Sequence, residues 1–264
     1  MRGRVLAGVV CAVLTAVSAA AQTEPPCQLV SMTGGTSYAL VPKSGAPFTA
    51  TLMSTHEQKL ADGNTISAAS TARQARDSAG RTMKETTVGC LIGRDGQLRP
   101  QLRIEVRDPI AGTISSWTVG ERAEKFIHVT HFVAPPYNEA LEQQRALQRE
   151  QAAQELGSRP GFRVENLGTR TIMGVTAEGS RTVRTIAAHS AGNDLSMETL
   201  DEVWTAKELS LVVLSISTDP KIGNNRTEVV ELEQGEPDPS LFVPPADYTM
   251  NAPAINSVNP PAAW

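Results

Sequence analysis

The sequence is short of the residues that do chemistry. It has three cysteines and four histidines in 264 residues. His128 and His131 form H-V-T-H within a β-branched, aromatic run. An offset of three shares a face on a helix, where it suits a metal, but puts two side chains on opposite faces of a strand. His56 and His189 stand apart. The adjacency of His189 and Ser190 is not a nucleophile–base pair, because such groups meet through space. No G-x-S-x-G elbow, Walker A loop or G-x-G-x-x-G occurs. The chain therefore reads as non-enzymatic, with no cofactor, no metal and no catalytic residue assigned. A hydrolase with an unrecognised site is the remaining enzymatic alternative.

Positive charge is also scarce. Lysine and arginine number 24 against 28 acids, for a net charge of −4. A mildly acidic chain lacks the basic face that phosphate binding needs, which argues against a nucleic-acid partner. Long apolar runs are scarce too: the longest lies at the N-terminus. Arg2 and Arg4 precede an apolar Val5–Val17, and Ala19-Ala20-Ala21 forms a small-residue cleavage site. This is the pattern of an export signal over residues 1–21, with Gln22 as the mature N-terminus. The alternative, a membrane anchor, is disfavoured because the run is shorter than the ~20 residues that span a bilayer. Cleavage removes two arginines and makes the remaining chain two units more negative. Cys27 follows Glu24-Pro25-Pro26, not a small apolar box, so it is not read as a lipidation site. A soluble periplasmic or secreted protein is expected, with no transmembrane anchor after cleavage.

Cys27 and Cys90 remain after cleavage. In an exported chain an even count suggests one disulfide, against two separate free thiols.

What is plentiful is turn chemistry. Residues 22–47 are rich in Gly, Ser, Thr and Pro and read as a flexible arm. Then follow Phe48–Leu60, a turn at Ala61-Asp62-Gly63-Asn64, Thr65–Arg76, a turn at Asp77-Ser78-Ala79-Gly80, and Arg81–Thr87. Asp-Gly and Gly-Asn supply the positive φ of tight hairpins, and the spacing predicts a meander. Gly93-Arg94-Asp95-Gly96 turns again. Leu102–Arg107 alternates with period two, Asp108–Gly112 turns the chain, and Thr113–Val119 and Lys125–Val133 complete the series.

The pattern changes after Pro135-Pro136. Asn138–Leu156 is rich in helix formers, with Asn138 as cap and Gly157 as stop. Its apolar residues (Tyr137, Ala140, Leu141, Leu147, Leu156) form no continuous stripe, so an exposed helix, or one covering an opening through few contacts, is expected. About five further antiparallel strands follow over Glu165–Thr249. Leu209–Ile216 is apolar on both alternating faces, the mark of a central strand packed on two sides. Thr227–Gln234 places Val230 and Leu232 inward. Leu241-Phe242 is an apolar plug within a Pro-rich stretch, and residues 251–264 read as a disordered tail. The thin helix leaves the central strand short of cover. An incompletely filled apolar groove is therefore expected there, with Trp117, Trp204, Leu211 and Val213 as ligand-lining candidates, against ordinary core packing.

Glu198, Asp201 and Glu202 cluster before Trp204 and read as a solvated strand face rather than an acid/base pair. Arg170, Arg181 and Arg184 read as solvated, with an anion-binding patch as the alternative. Asn225-Arg226-Thr227 is a weak glycosylation pattern.

L-G-T-R-T-I-M-G-V, then E-V-W-T-A-K-E-L with L-V-V-L, then E-P-D-P-S-L-F-V-P-P-A-D-Y, occur in that order within Glu165–Tyr248. The order resembles periplasmic half-barrel proteins of the lipoprotein-carrier (LolA-like) superfamily. The earlier L-A-D-G-N, D-S-A-G-R-T and D-P-I-A-G turns look like other exported bacterial proteins of that design. The resemblance implies a mainly β fold: a curved antiparallel sheet, or half-barrel, with covering helices. It also implies carriage of acylated proteins or lipids, or the sensing of envelope stress. A single β-rich domain over 48–250 is expected, with a helical insertion near 138–156; a closed barrel or sandwich is the alternative. The expected function is a binding or carrier protein for a lipid or other apolar ligand. The alternative is a structural or regulatory protein acting on an envelope protein partner.

Overall fold

The computed structural model describes Cys27, residues 46–133 and residues 139–250. The export signal, most of the arm, Asn138 and the tail at 251–264 lie outside the described residues.

Turn glycines punctuate the chain as the sequence suggests. Gly63, at φ 87°, closes the first hairpin in a conformation that costs other residues strain. The strands are β1 (Phe48–Lys59), β2 (Thr65–Arg76), β3 (Thr82–Ile92), β4 (Leu98–Asp108), β5 (Thr113–Val119) and β6 (Phe126–His131). After helix α1 (Glu139–Ser158) come β7 (Phe162–Ile172), β8 (Val175–Ile186), β9 (Met197–Ala206), β10 (Leu211–Asp219) and β11 (Gly223–Gln234). A 3-10 turn at Pro239–Phe242 and the short β12 (Thr249–Met250) end the described chain. All strands join one sheet, in the order β12-β6-β5-β4-β3-β2-β1-β11-β10-β9-β8-β7. Every pairing is antiparallel except β12 with β6. The fold is mainly β, in one open sheet with one helix. Neither the closed barrel nor the sandwich forms, because β7 and β12 remain at opposite ends of the order.

The sheet is curved. Arg76 on β2 donates to the carbonyl of Leu209, just before β10, at 2.7 Å. In a flat sheet the three steps from β2 through β1 and β11 to β10 would put these strands about 14 Å apart. The sheet must roll over to bring them within a hydrogen bond.

Two cores result. One joins Phe48, Ala50 and Leu52 of β1 with Val175, Ala177, Trp204, Ala206, Leu209, Leu211, Val213, Leu214 and Val229. The other joins Ala75, Met83, Val106, Trp117 and Ile127 across β2–β6, and Phe242 caps it from the 3-10 turn. Leu241 and Tyr248 pack beside Phe242, and the Arg81 guanidinium stacks 4.8 Å from its ring. Asp238 starts that turn by accepting from the Ser240 amide at 2.9 Å. The second core spans the β2–β3 pairing, which runs only from Ala72–Arg76 against Thr82–Thr86, and the first core begins at β1.

Four local expectations change. The expected Arg81–Thr87 begins one residue before the longer β3, and Leu102–Arg107 is the inner half of the longer β4. The β10 register shifts between Val212 and Leu214, so Leu211, Val213 and Leu214 are all buried and the alternation is broken. A second shift opposite Thr51/Leu52 makes Val229, rather than Val230, the buried residue of β11. Helix α1 runs through Gly157 to Ser158; Gly161, at φ 80°, makes the turn, and a Cβ there would lie 2.9 Å from the Thr185 carbonyl.

Helix α1 is not a lid on a core. Among its described side chains only Ala153 and Leu156 are even half-buried, and Leu147 is 60% exposed. It packs against β7, the strand that follows it. No helix among the described residues is long and apolar enough to cross a membrane.

Candidate ligand-binding cleft

Residues directly opposite one another in a sheet share a face, as do residues two apart. The pairings of β2, β1, β11 and β10 thus place Ala69, Thr55, Arg226 and Ile216 in one row. Ser67, Glu57, Asn224 and Thr218 form the next row on the same face. These eight residues, with His56, Ala68 and Asn225, line a cleft of about 600 Å³. Ile216 is its one large aliphatic side chain; the others carry hydroxyl, amide, imidazole, charged or small groups, whose carbon atoms leave the exposed lining more apolar than polar.

Local features hold this end of the sheet together. Gly223 opens β11 at φ 96°, and a Cβ there would sit 2.3 Å from the Glu57 carbonyl. Only glycine lets the β10–β11 turn lie against β1. His56 Nδ1 is 2.9 Å from Asn225 Oδ1, and the Ser54 and Thr227 hydroxyls are 2.9 Å apart. Arg226 Nη2 donates to Glu228 Oε2 at 2.6 Å. Glu228, and more weakly Glu202, hold the Arg226 guanidinium above its ordinary pKa.

The first row continues as charge. Ile216 lies opposite Glu202, Glu202 opposite Arg181, and Arg181 opposite Glu165. Glu202 Oε1 accepts from the Trp204 indole at 2.7 Å, and its Oε2 accepts from Arg181 Nη2 at 2.8 Å and Nε at 3.2 Å. Arg181 Nη1 reaches Glu165 at 3.3 Å, and Arg163 Nε reaches it at 2.7 Å. The Trp204 indole first, and Arg181 after it, hold the Glu202 carboxyl below its ordinary range, although burial pushes the other way. Trp204 itself lies flat over Gly179, where a Cβ would come within 2.8 Å of the ring, and Arg170 stacks on it at 4.1 Å.

The cluster before Trp204 is therefore not uniformly solvated. Glu202 is 9% exposed and bonded; Glu198 is exposed and accepts from the Thr185 hydroxyl at 3.2 Å, and Asp201 is exposed. Nor do the three arginines form a free patch. Arg181 is paired with carboxylates, Arg170 lies on Trp204, and Arg184 stacks on Phe162 at 5.7 Å.

This pairing gives a pH prediction. Glu202 has a depressed folded pKa, so its ionisation stabilises the fold above the unfolded value of about 4.3, and that contribution disappears as pH falls through the folded value. Glu202→Gln is expected to cost about 1–2 kcal/mol at pH 7. The gap between variant and wild type should close on acidification below about pH 4. Thermal melts from pH 7 to pH 3 check it; a gap independent of pH would show that charge is not its source.

The four ligand-lining candidates do not meet in the cleft. Trp204, Leu211 and Val213 are buried together in the first core at 6%, 2% and 0% exposure, and Trp117 is buried in the second. None lines the described cleft. Ile216, one of the apolar residues of the same stretch, does. Cys27 and Cys90 are joined by a disulfide, with Cα atoms 5.9 Å apart. His128 and His131 are exposed on β6, opposite Ser116 and Thr113. Among the described residues no three His, Cys, Asp or Glu side chains gather as a metal site. Sequence reasoning missed the cleft residues because Thr55, Ser67, Thr218 and Asn224 come from four strands and none is unusual alone.

No protein-family model and no curated protein matches the chain. Solved structures do. MucB in complex with MucA(peri) is 13% identical over 78% of this chain and 57% of that one, with a TM-score of 0.33. A β-barrel-like DUF1849 protein from Brucella abortus is 8% identical over 73% of this chain and 99% of that one, with a TM-score of 0.32. A Vibrio parahaemolyticus domain described as an outer membrane lipoprotein-sorting protein is 9% identical over 71% and 85%, with a TM-score of 0.24. The chain spans 57% and 60% of the length of the two MucB structures it matches.

Proposed function

We propose that this chain is an exported, non-enzymatic binding protein that engages a polar segment of a protein partner along the β2–β1–β11–β10 cleft. The observation that carries this reading is the lining of the cleft. Thr55, Ser67, Thr218 and Asn224 carry hydrogen-bonding groups, and Glu57 and Arg226, the latter bonded to Glu228, carry opposite charges. The apolar residues that a lipid carrier would need are instead packed into the two cores. In a cleft where a few polar groups stand among exposed carbon, those groups set the orientation and register of what binds.

The test uses the mature exported protein in its own cells. A photo-crosslinking amino acid at Thr218 should give a discrete protein adduct, and Arg226→Glu should reduce that adduct at least fivefold. The same probe at exposed Leu195, distant in sequence from the cleft strands' lining residues, should give none. Native mass spectrometry of the purified protein should show the unliganded mass. A stoichiometric co-purifying acyl lipid would overturn the reading and restore the carrier of apolar ligands.

A further inference from the structure

The net charge hides one local excess. Gln74, Lys84, Glu105 and Ser116 lie opposite one another across β2, β3, β4 and β5 and form one row. Arg76, Thr82, Arg107 and Ile114 form the row on one side of it, and Ala72, Thr86, Arg103 and Thr118 the row on the other. By the alternation of strands, all of these share one face of the sheet. Ala75, Met83 and Val106 of the second core are each one residue off and belong to the other face, as do Ser67 and Ala69 of the cleft. The β2–β5 face thus carries four cations, Arg76, Lys84, Arg103 and Arg107, against one carboxylate, Glu105. It does so in a chain whose net charge is −4.

Lys84 stands at the centre of this cluster. Arg76, Arg103 and Arg107 occupy three of the four diagonal positions around it, roughly 7–8 Å away, close enough for long side chains to converge on one group. Among the described residues none of the four cations pairs with a carboxylate, and Glu105, directly opposite Lys84, forms no ion pair with it. Arg103 Nη2 donates to the Ser116 hydroxyl at 3.4 Å, and the Arg107 guanidinium lies 4.4 Å from the Phe132 ring centroid. Three buried polar atoms on this face have no partner: Arg76 Nη1, Arg107 Nε and Gln74 Oε1. Arg76 is 0% and Gln74 2% exposed, so water does not stand in for the missing partner. The Gln74 amide presents its oxygen or, turned over, its N–H groups. Buried donors left unpaired and like charges set this close both cost free energy. An anion that accepts from them relieves both costs, through charge-assisted hydrogen bonds.

We propose that the β2–β5 face binds the phosphate group of a small soluble phosphate ester. Lys84, Arg103 and Arg107 are its accessible cations, and the buried Arg76 and Gln74 complete the donor set. The excess of cations suits a dianion better than a single carboxylate. The ligand is small because the most buried donors lie out of reach of a flat membrane surface, and because the negative charge of the whole chain repels a polyanion. This site is separate from the cleft and goes beyond the function proposed for it.

Calorimetric titration of the dialysed, oxidised mature protein at low salt tests this, with inorganic phosphate and glycerol 3-phosphate as probes. Both should bind at one site per chain. Lys84→Gln, Arg107→Gln and Arg103→Gln should each weaken binding at least fivefold. Arg149→Gln removes the same charge from the exposed surface of α1 and should change binding less than twofold. Thermal melts without probe show which variants fold. Arg103 is exposed, so its variant still gives a reading if a half-buried one unfolds. No binding to the wild type at about 10 mM of either probe would overturn the proposal. So would equal weakening by Arg149→Gln, because net charge rather than this face would then be the cause. Binding to phosphatidylglycerol vesicles that glycerol 3-phosphate does not compete away would also overturn it, because a membrane would then be the occupant.

Discussion

Removing the Cys27–Cys90 disulfide is expected to lower the unfolding free energy by about 4 kcal/mol. The bridge closes a loop with a sequence separation of 63. A chain-entropy model assigns most of its effect to the unfolded state, which loses conformations when two distant residues are tied. The native state gains a tether between the start of the chain and β3, on the side of the sheet where β2 and β3 part. Cys90→Ser and Cys27→Ser should therefore lower the denaturant midpoint equally, and the double variant should match either one. Thiol titration of the denatured, non-reduced protein should find neither Cys27 nor Cys90 reactive. Two reactive thiols would end the disulfide, and unequal single variants would show that one side chain matters for packing beyond the bond.

Much of the architecture was legible because turns and alternation are local signals. The Asp-Gly turns marked the hairpins of β1–β2 and β3–β4, and Asp108–Gly112 marked that of β4–β5. The alternation of Leu102, Ile104 and Val106 marked the buried face of β4, of which Val106 is fully buried and Ile104 packs against the core. The thin apolar face of α1 foretold its exposure. The two register shifts were not legible, since an extra residue at Val213 or Val230 leaves no mark in composition and yet changes which neighbours face inward. That is why an apparent two-sided strand ended as a buried one within a single core. It is also why an apolar groove was expected beside Trp204, Leu211 and Val213, which the structure buries in the first core.

The charged residues failed for a different reason. Glu202 and Arg181 are 21 positions apart, and only the β8–β9 pairing makes them partners. Read singly, each is an ordinary surface charge. Arg76 is the extreme case: nothing in S-T-A-R-Q-A-R-D suggests that its last arginine is fully buried while Arg73, on the same strand, is half-exposed.

Arg76→Ala is expected to destabilise the protein by about 3–5 kcal/mol, a drop of roughly 10 °C in Tm for a domain of this size. Its side chain is 0% exposed. Its Nε and Nη2 donate to the Ala46 carbonyl at 3.0 and 2.8 Å, and Nη2 also donates to the Leu209 carbonyl at 2.7 Å. The guanidinium lies 5.1 Å from the Phe48 ring centroid. Among the described residues no carboxylate pairs with it, Nη1 has no partner, and burial lowers its pKa. The charge is thus held by backbone carbonyls and an aromatic face, at the one place where the rolled sheet brings the start of β1 against the β9–β10 turn. Removing it strands the buried Leu209 carbonyl and the part-buried Ala46 carbonyl and leaves a void beside Phe48. Arg76→Met separates the two effects. It fills most of the volume and removes the buried charge, but it still leaves the carbonyls unpaired, so a smaller loss of about 1–3 kcal/mol is expected. In both variants the amides of Leu209–Leu211 should lose protection before those of β7 and β8, because the turn is released from β2 while the far strands keep their pairing. A methionine variant as stable as the wild type would show that the carbonyl bonds do not offset the burial of the charge. The roll of the sheet would then be held by Phe48 and Leu209 packing alone.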